Sequence, residues 1–139
     1  MATKQVTAII EKASDGGYGI YCPDVEGLSL YGYGATEKEA KEDLNTNLEM
    51  FVEHYQKKGQ PVPEILNNGN IKFDFRYDFS GFFKSYPMFN VSELAKEVNI
   101  NSSLLRKYKS GLAYASAEQK KKIEAAIHSL GKKLTIVRF

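Results

Sequence analysis

The residues with the most usable chemistry lie between positions 92 and 111: Ser92, Asn101, Ser102, Ser103, Arg106, Lys107 and Lys109. Hydroxyls and an amide offer donors and acceptors to base edges. A guanidinium forks onto a guanine edge or a phosphate, and ammonium groups act as point charges. Between these residues, Leu94, Ala95, Val98, Ile100, Leu104, Leu105 and Tyr108 recur at helical intervals, so the stretch reads as two short helices joined by a tight turn around one core. The polar set then faces away from that core. This is a helix-turn-helix pattern, whose second helix places its N-terminal residues in the major groove. Asn101, Ser102, Ser103 and Arg106 are assigned to base edges, and Lys107, Lys109 and Ser92 to phosphates. A plain solvated helix face is the competing reading of the basic residues. For Lys120–Lys122, phosphate contact is the most that is expected.

Asp15 and Asp24 are the first candidates for a different chemistry, phosphodiester cleavage, which needs several carboxylates around one or two divalent ions. Each has a sufficient structural reason instead. Asp15 lies in Ser14-Asp15-Gly16-Gly17 and Asp24 follows Pro23, and aspartate in a turn hydrogen-bonds its own backbone. Glu11 is the one acid within the first expected strand. His54 suits the end of a helix, where the dipole favours a cation, and His128 lies beside the apolar face of the last helix. Neither histidine has partners at metal-ligand spacing. Gly32 and Gly34 flank Tyr33 without the strand–GxGxxG–helix signature of a nucleotide site. Cys22 is the single cysteine, which rules out a disulfide framework within the chain and reads as a small core hydrophobe. No catalytic residue, metal ligand or cofactor is expected.

Charge divides along the chain. Up to Leu66 there are six lysines and eleven acids, a net of −5; from Asn67 there are thirteen lysines and arginines and six acids, a net of +7. One part repels phosphate and the other attracts it. The 139 residues suffice for one medium domain or two small ones. No signal-peptide run or membrane-length segment is visible, so a soluble cytoplasmic protein is expected.

The elements that must carry these residues are an antiparallel meander, a helix, a further strand and a helical region, an α+β chain. Val6, Ala8 and Ile10 alternate along a first strand. The glycine-rich turn at 14–17 leads to Tyr18, Ile20 and Cys22, stopped by Pro23. Gly27 marks a turn, and a third strand starts with Leu28, Leu30 and Tyr31 and ends near Gly34. Thr36 and Glu39 form a capping box before the stripe Ala40, Leu44, Leu48, Phe51 and Tyr55. Gly59, Pro61 and Pro63 end that helix. Ile71, Phe73, Phe75, Tyr77 and Phe79 alternate with charged residues, a strand over 71–79 whose aromatic face the helix is expected to cover. An aromatic linker at 81–89 follows, expected to pack on something because exposing Phe82, Phe83, Tyr86 and Phe89 is unfavourable. Ser116 caps a last helix bearing Ile123, Ala126, Ile127 and Leu130 and closed by Gly131. Residues 134–139 read as a short strand whose edge pairs with the body or with a second subunit.

Three pieces of the first part, Asp15-Gly16-Gly17-Tyr18, Pro23-Asp24-Val25-Glu26-Gly27-Leu28, and Gly34-Ala35-Thr36 leading through Ala40 and Leu44, together resemble the HicB antitoxin family. The likeness covers residues 6–66 and extends through the strand at 71–79. It implies a β-β-β-α-β partial RNase H-like domain over 1–80 that binds a small HicA-like mRNA ribonuclease toxin. It also implies a DNA-binding domain over 90–139 that represses the operon. Residues 90–133 resemble the phage repressor/Cro type of helix-turn-helix, with Leu94-Ala95, Ser103, Leu105 and Gly111 at the usual places. Three helices are legible where that type usually has four, and Lys109 stands where an acid is common.

The expected function is an antitoxin that neutralises a HicA-like toxin and, as a homodimer or higher oligomer, binds operator DNA. An orphan transcription regulator with a sensor or oligomerisation module in front is the alternative. A metal-dependent nuclease on an RNase H-like scaffold is the enzymatic rival.

Overall fold

A computed structural model describes residues 4–25, 29–66 and 71–139. The Gly27 turn and the expected start of the third strand at Leu28 lie outside the described residues. These form a mixed α+β structure, one four-stranded sheet and five helices, arranged as two compact units, Met1–Lys84 and Ser85–Phe139. No helix among the described residues is long and apolar enough to cross a membrane.

The first unit contains β1 (Lys4–Lys12), β2 (Tyr18–Tyr21), β3 (Tyr31–Gly34), α1 (Glu37–Lys57), a 3-10 turn (Glu64–Leu66), β4 (Ile71–Tyr77) and α2 (Phe79–Ser85). The strand order is β3-β2-β1-β4. The meander β1-β2-β3 is antiparallel, and α1 carries the chain across so that β4 pairs parallel to β1. Parallel strands need such a crossover, whereas the β1–β2 hairpin needs only its five-residue connection, 13–17.

Register decides which face is buried. Val6, Ala8 and Ile10 pair with Phe73, Phe75 and Tyr77, and Ile10 also pairs with Ile20, so all share the face that meets α1. Buried residues of both layers, among them Val6, Ala8, Ile10, Ile20, Leu30, Ala40 and Leu44, make the core. The expected cover of the β4 aromatic row by α1 is only partial. Ile71 and Phe73 pack against the core, whereas Phe75 and Tyr77 stay 36% and 38% exposed. They are met at their edges by the Lys41 ammonium, 4.6 Å from the Phe75 ring centroid, and by Glu37, which accepts from the Tyr77 hydroxyl.

The fit of α1 against β3 is unusually close. A β-carbon on Gly32 would lie 2.4 Å from the Ala40 carbonyl oxygen and 2.7 Å from Leu44 Cβ, so only glycine admits the helix. The outer edge of β3 is also satisfied by α1. The Tyr33 N–H donates to Asp43 Oδ2 at 2.9 Å, and Asn47 Nδ2 donates to the Tyr31 carbonyl at 2.6 Å. An exposed sheet edge otherwise templates pairing with other chains. At the start of α1, Thr36 Oγ1 accepts from the Glu39 N–H at 3.1 Å, while Glu39 Oε2 reaches back to the Ala35 N–H at 2.9 Å. The capping box is thus present, displaced by one residue on its return arm.

Strand β4 stops at Tyr77 rather than at residue 79, and helix α2 replaces the first part of the expected linker. The reason is a turn closed by Asp78, whose Oδ1 accepts from the Gly81 N–H at 2.8 Å and from Ser80 Oγ at 2.7 Å. Phe83 is buried and stacks edge-on with Phe82, centroids 5.3 Å apart, so these aromatic residues do pack.

The second unit holds α3 (Val91–Val98), α4 (Ser102–Ser110) and α5 (Ala117–Leu134). Gly111 ends α4 in the left-handed region at φ 79°. Gly131 does not play that part for α5. It lacks a positive φ, and the helix passes through it to Leu134. Residues 134–139 are not a strand. A strand needs a ladder partner, and among the described residues no strand pairs there. The backbone turns on itself instead, the Thr135 N–H reaching the Gly131 carbonyl at 3.1 Å and the Val137 N–H the Leu134 carbonyl at 3.3 Å.

Asp15 ties the hairpin tip to β3. Its Oδ1 accepts from the Gly17 N–H at 3.1 Å and its Oδ2 from the Tyr33 hydroxyl at 2.5 Å. The Tyr33 bond, then the Gly17 bond, hold this carboxyl below the usual aspartate range, and the same contact pushes the Tyr33 hydroxyl up. Cys22 is buried, and desolvation, helped by Asp24, pushes its thiol up to about 11.

Two tests follow from this packing. Gly32→Ala should lower the unfolding free energy by about 1–3 kcal/mol, the usual cost of overpacking, and the urea midpoint with it. Gly131→Ala meets open space in a helix and should raise the unfolding free energy by up to about 1 kcal/mol. Equal midpoints for both variants would contradict the positions described. In the second test, a carboxyl with a lowered folded value contributes stability above its ordinary value of 3.8 and loses it as pH falls through the lowered one. Tyr33→Phe should therefore move the Asp15 titration, followed by NMR, upward toward 3.8 and shrink the acid-dependent loss of stability. An unmoved titration would show that the hydroxyl does not hold the carboxylate.

Candidate functional site

The seven polar residues singled out by the sequence lie on or beside α3 and α4. Asn90 caps α3, its Oδ1 accepting from the Glu93 N–H at 3.1 Å. The helix ends at Asn99, which adopts the left-handed conformation at φ 59° and ψ 50°, and the Ile100 N–H returns to the Ala95 carbonyl at 2.9 Å. Asparagine is the non-glycine residue best suited to that position. Two residues later Asn101 caps α4. Its Oδ1 accepts from the Ser103 N–H at 2.8 Å and the Leu104 N–H at 3.3 Å. The turn between the helices is therefore only Asn99–Asn101, fixed at both ends by asparagine.

Leu94, Ala95, Val98, Leu105, Tyr108 and Ile123 are buried, and Ile100 and Leu104 half-buried. Helix α5 thus completes the core that the α3–α4 pair begins. Lys122 Nζ donates to the Asn99 carbonyl at 3.1 Å, which ties α5 to the turn. One member of the lysine run expected to touch phosphate at most is thereby given a structural partner.

Burial of Leu105 and Tyr108 turns the opposite side of α4 outward. Asn101, Ser103, Arg106, Lys107 and Lys109 are exposed, and Ser102 is half-buried. Arg106 is brought to Ser92 across the two helices, its guanidinium donating to Ser92 Oγ at 2.5 Å. That bond uses one of five guanidinium donors and restrains the head against the start of α3. Asn101 is the residue whose expected role the geometry alters most, because its side-chain oxygen serves as the helix cap. Only its amide nitrogen is left to meet a base. Lys107 and Lys109 occupy the last turn of α4, where the helix dipole favours cations. At the other end, α4 has no acid in its first turn, and the Asn101 cap answers its N–H groups at Ser103 and Leu104.

Leu112 and Tyr114, which the sequence reading passed over, are 80% and 91% exposed just after α4. Two large apolar residues within Gly-Leu-Ala-Tyr-Ala were the available signal. The carboxylates weighed for cleavage are scattered. Asp15 is engaged at the hairpin tip, Asp24 is exposed after Pro23, and Glu11 is half-buried on β1, its carboxyl pushed up by burial and then by Asp78. Among the described residues no three His, Cys, Asp or Glu side chains are grouped as a metal site would need. His54 lies in the last turn of α1, edge-on to Tyr55, and His128 is exposed on α5.

The first unit offers two surfaces of another kind. The sheet face turned away from α1 carries Ile9, Tyr21, Tyr31 and Tyr33, as the register requires. The outer side of α1 is acidic, with six acids against three lysines over its 21 residues.

No family model and no solved structure matches the chain. It is 45% identical over 49 residues to one UPF0150 protein of Synechocystis sp., a stretch covering 35% of this chain and 65% of that relative. To a second UPF0150 protein of the same organism it is 34% identical over 58 residues, covering 42% of this chain and 71% of the relative. The chain thus spans about two thirds of the length of these relatives and carries further sequence outside the matched stretch. On this identity and coverage, it belongs to the UPF0150 family.

Proposed function

We propose that the chain is a HicB-like antitoxin: its first unit masks a small basic ribonuclease, and its second binds operator DNA as a dimer. The observation that carries this reading is that charge changes sign at the structural boundary. Met1–Lys84 holds nine lysines and arginines against thirteen acids, a net of −4, whereas Ser85–Phe139 holds ten against four, a net of +6. An enzyme that binds RNA is itself cationic, and an anionic unit is electrostatically suited to steer toward it. A duplex, by contrast, is met by the cationic unit.

Supporting detail comes from both units. The order β-β-β-α-β is the one implied by the HicB resemblance for a partial RNase H-like domain. In the second unit, α3 and α4 form the helix-turn-helix pair, with α4 as the recognition helix. Ser102, Ser103 and Arg106 are the base-reading set, with the Asn101 amide nitrogen beside them. Ser92 aims the arginine, and Lys107 and Lys109 hold the backbone. Two copies present two such helices to half-sites about 34–36 Å apart.

The test uses duplex from the region upstream of the gene and the product of the adjacent reading frame. Arg106→Ala should weaken binding to that duplex by about 1–3 kcal/mol at fixed salt. The same variant should co-purify with a short basic ribonuclease as well as the wild type does. Equal duplex affinity for wild type and variant would remove Arg106 from the interface. A neighbour product that is neither bound nor inhibited would overturn the antitoxin assignment.

A further inference from the structure

The second unit carries an apolar groove and an apolar segment that do not meet within one chain. The groove has a volume of about 280 Å³ and is lined by Met88, Phe89, Leu94 and Leu130, with Glu93 and Glu97 on its rim. The segment is residues 134–139, where Leu134, Ile136, Val137 and Phe139 are 58%, 78%, 52% and 120% exposed. Ile123, Ile127, Leu130 and Leu134 follow one another at three- and four-residue steps on α5, so a single stripe emerges from the core, passes the groove and continues into the segment. The segment does not fold back into its own groove, because hydrogen bonds from Thr135, Ile136 and Val137 to the Gly131, Lys133 and Leu134 carbonyls hold it in a tight turn beyond the helix.

We propose that residues 134–139 of one copy dock in the groove of a second copy, and reciprocally, so that the helical unit is a two-fold dimer. Charge selects this occupant. The groove's rim is anionic, with Glu93 and Glu97, and the segment is flanked by Lys132, Lys133 and Arg138. One unit therefore offers both an anionic apolar groove and a cationic apolar insert, the self-complementarity that a two-fold interface requires. Glu93 is engaged with Lys96 at 3.1 Å on an exposed surface, an arrangement weak enough to exchange partners. The inference rests only on the dimeric part of the proposed function and needs neither duplex nor toxin.

Sedimentation of the full chain at micromolar concentration, without DNA, tests it. The wild type should sediment as a dimer, and Ile136→Ser with Phe139→Ser should sediment as a monomer with unchanged helical circular dichroism. Two charge reversals sharpen the result. The pair Glu93→Lys with Glu97→Lys and the pair Lys133→Glu with Arg138→Glu should each weaken self-association about 10-fold or more. An equimolar mixture of the two should recover the dimer, because groove and insert are then complementary in both directions. A monomeric wild type, a dimer untouched by the serine changes, or a mixture that stays monomeric would each overturn the proposal. A dimer that forms as described yet binds no duplex would count against the function and leave this interface standing.

Discussion

The contact between α1 and β3 governs the first unit. Gly32 lets the helix backbone approach a distance that a single methyl group would block. That approach brings Asp43 and Asn47 within hydrogen-bonding reach of the Tyr33 N–H and the Tyr31 carbonyl, so one helix buries the sheet's inner face and satisfies its outer edge. Everything else in the unit is arranged around this. The helix packs on β3 and β2 and shares the core with Val6, Ala8 and Ile10, and the chain that follows it lays β4 on the far side of β1, parallel to it. The register places Tyr21, Tyr31 and Tyr33 on the opposite face.

In the second unit the controlling device is the short turn at Asn99–Asn101. A left-handed asparagine ends α3 and another asparagine starts α4, which leaves the pair little freedom in how the helices meet. Leu94, Val98, Leu105, Tyr108 and Ile123 then fix which side of α4 is buried. The outward side follows as a consequence: Ser103, Arg106 and Lys107 project because their neighbours cannot. The Ser92–Arg106 bond spans the two helices, so the arginine is oriented by the same geometry that builds the core.

The alternation in β1 and β4, the capping box at Thr36 and the two-helix signature at 91–110 were legible because each is a local pattern with one physical reading. Side-chain assignments such as Leu105 inward and Arg106 outward followed from spacing alone. Three features were not legible for reasons that are equally physical. Helix α2 depends on Asp78 closing a turn; Phe79, Phe82 and Phe83 do stand at i, i+3 and i+4, but over seven residues that period is masked by the β4 alternation, which runs on into Phe79. Gly131 resembles a stop signal, but stopping requires a left-handed φ, and the residues after it continued to form helical hydrogen bonds. The segment 134–139 has the composition of a strand, yet composition does not provide the neighbouring ladder a strand needs. Asn101 shows a subtler limit: it is exposed at the start of α4, and the helix cap had the prior claim on its oxygen.

These two constraints give the chain an anionic sheet unit and a cationic helical unit, each positioning its own surface. The most direct test of that separation is hydrogen–deuterium exchange of the full chain with and without duplex from its own upstream region. Slowed exchange confined to residues 91–110, with the sheet and α1 unchanged, is the predicted result. Slowing in β1–β4 or α1, or none in α4, would contradict the account.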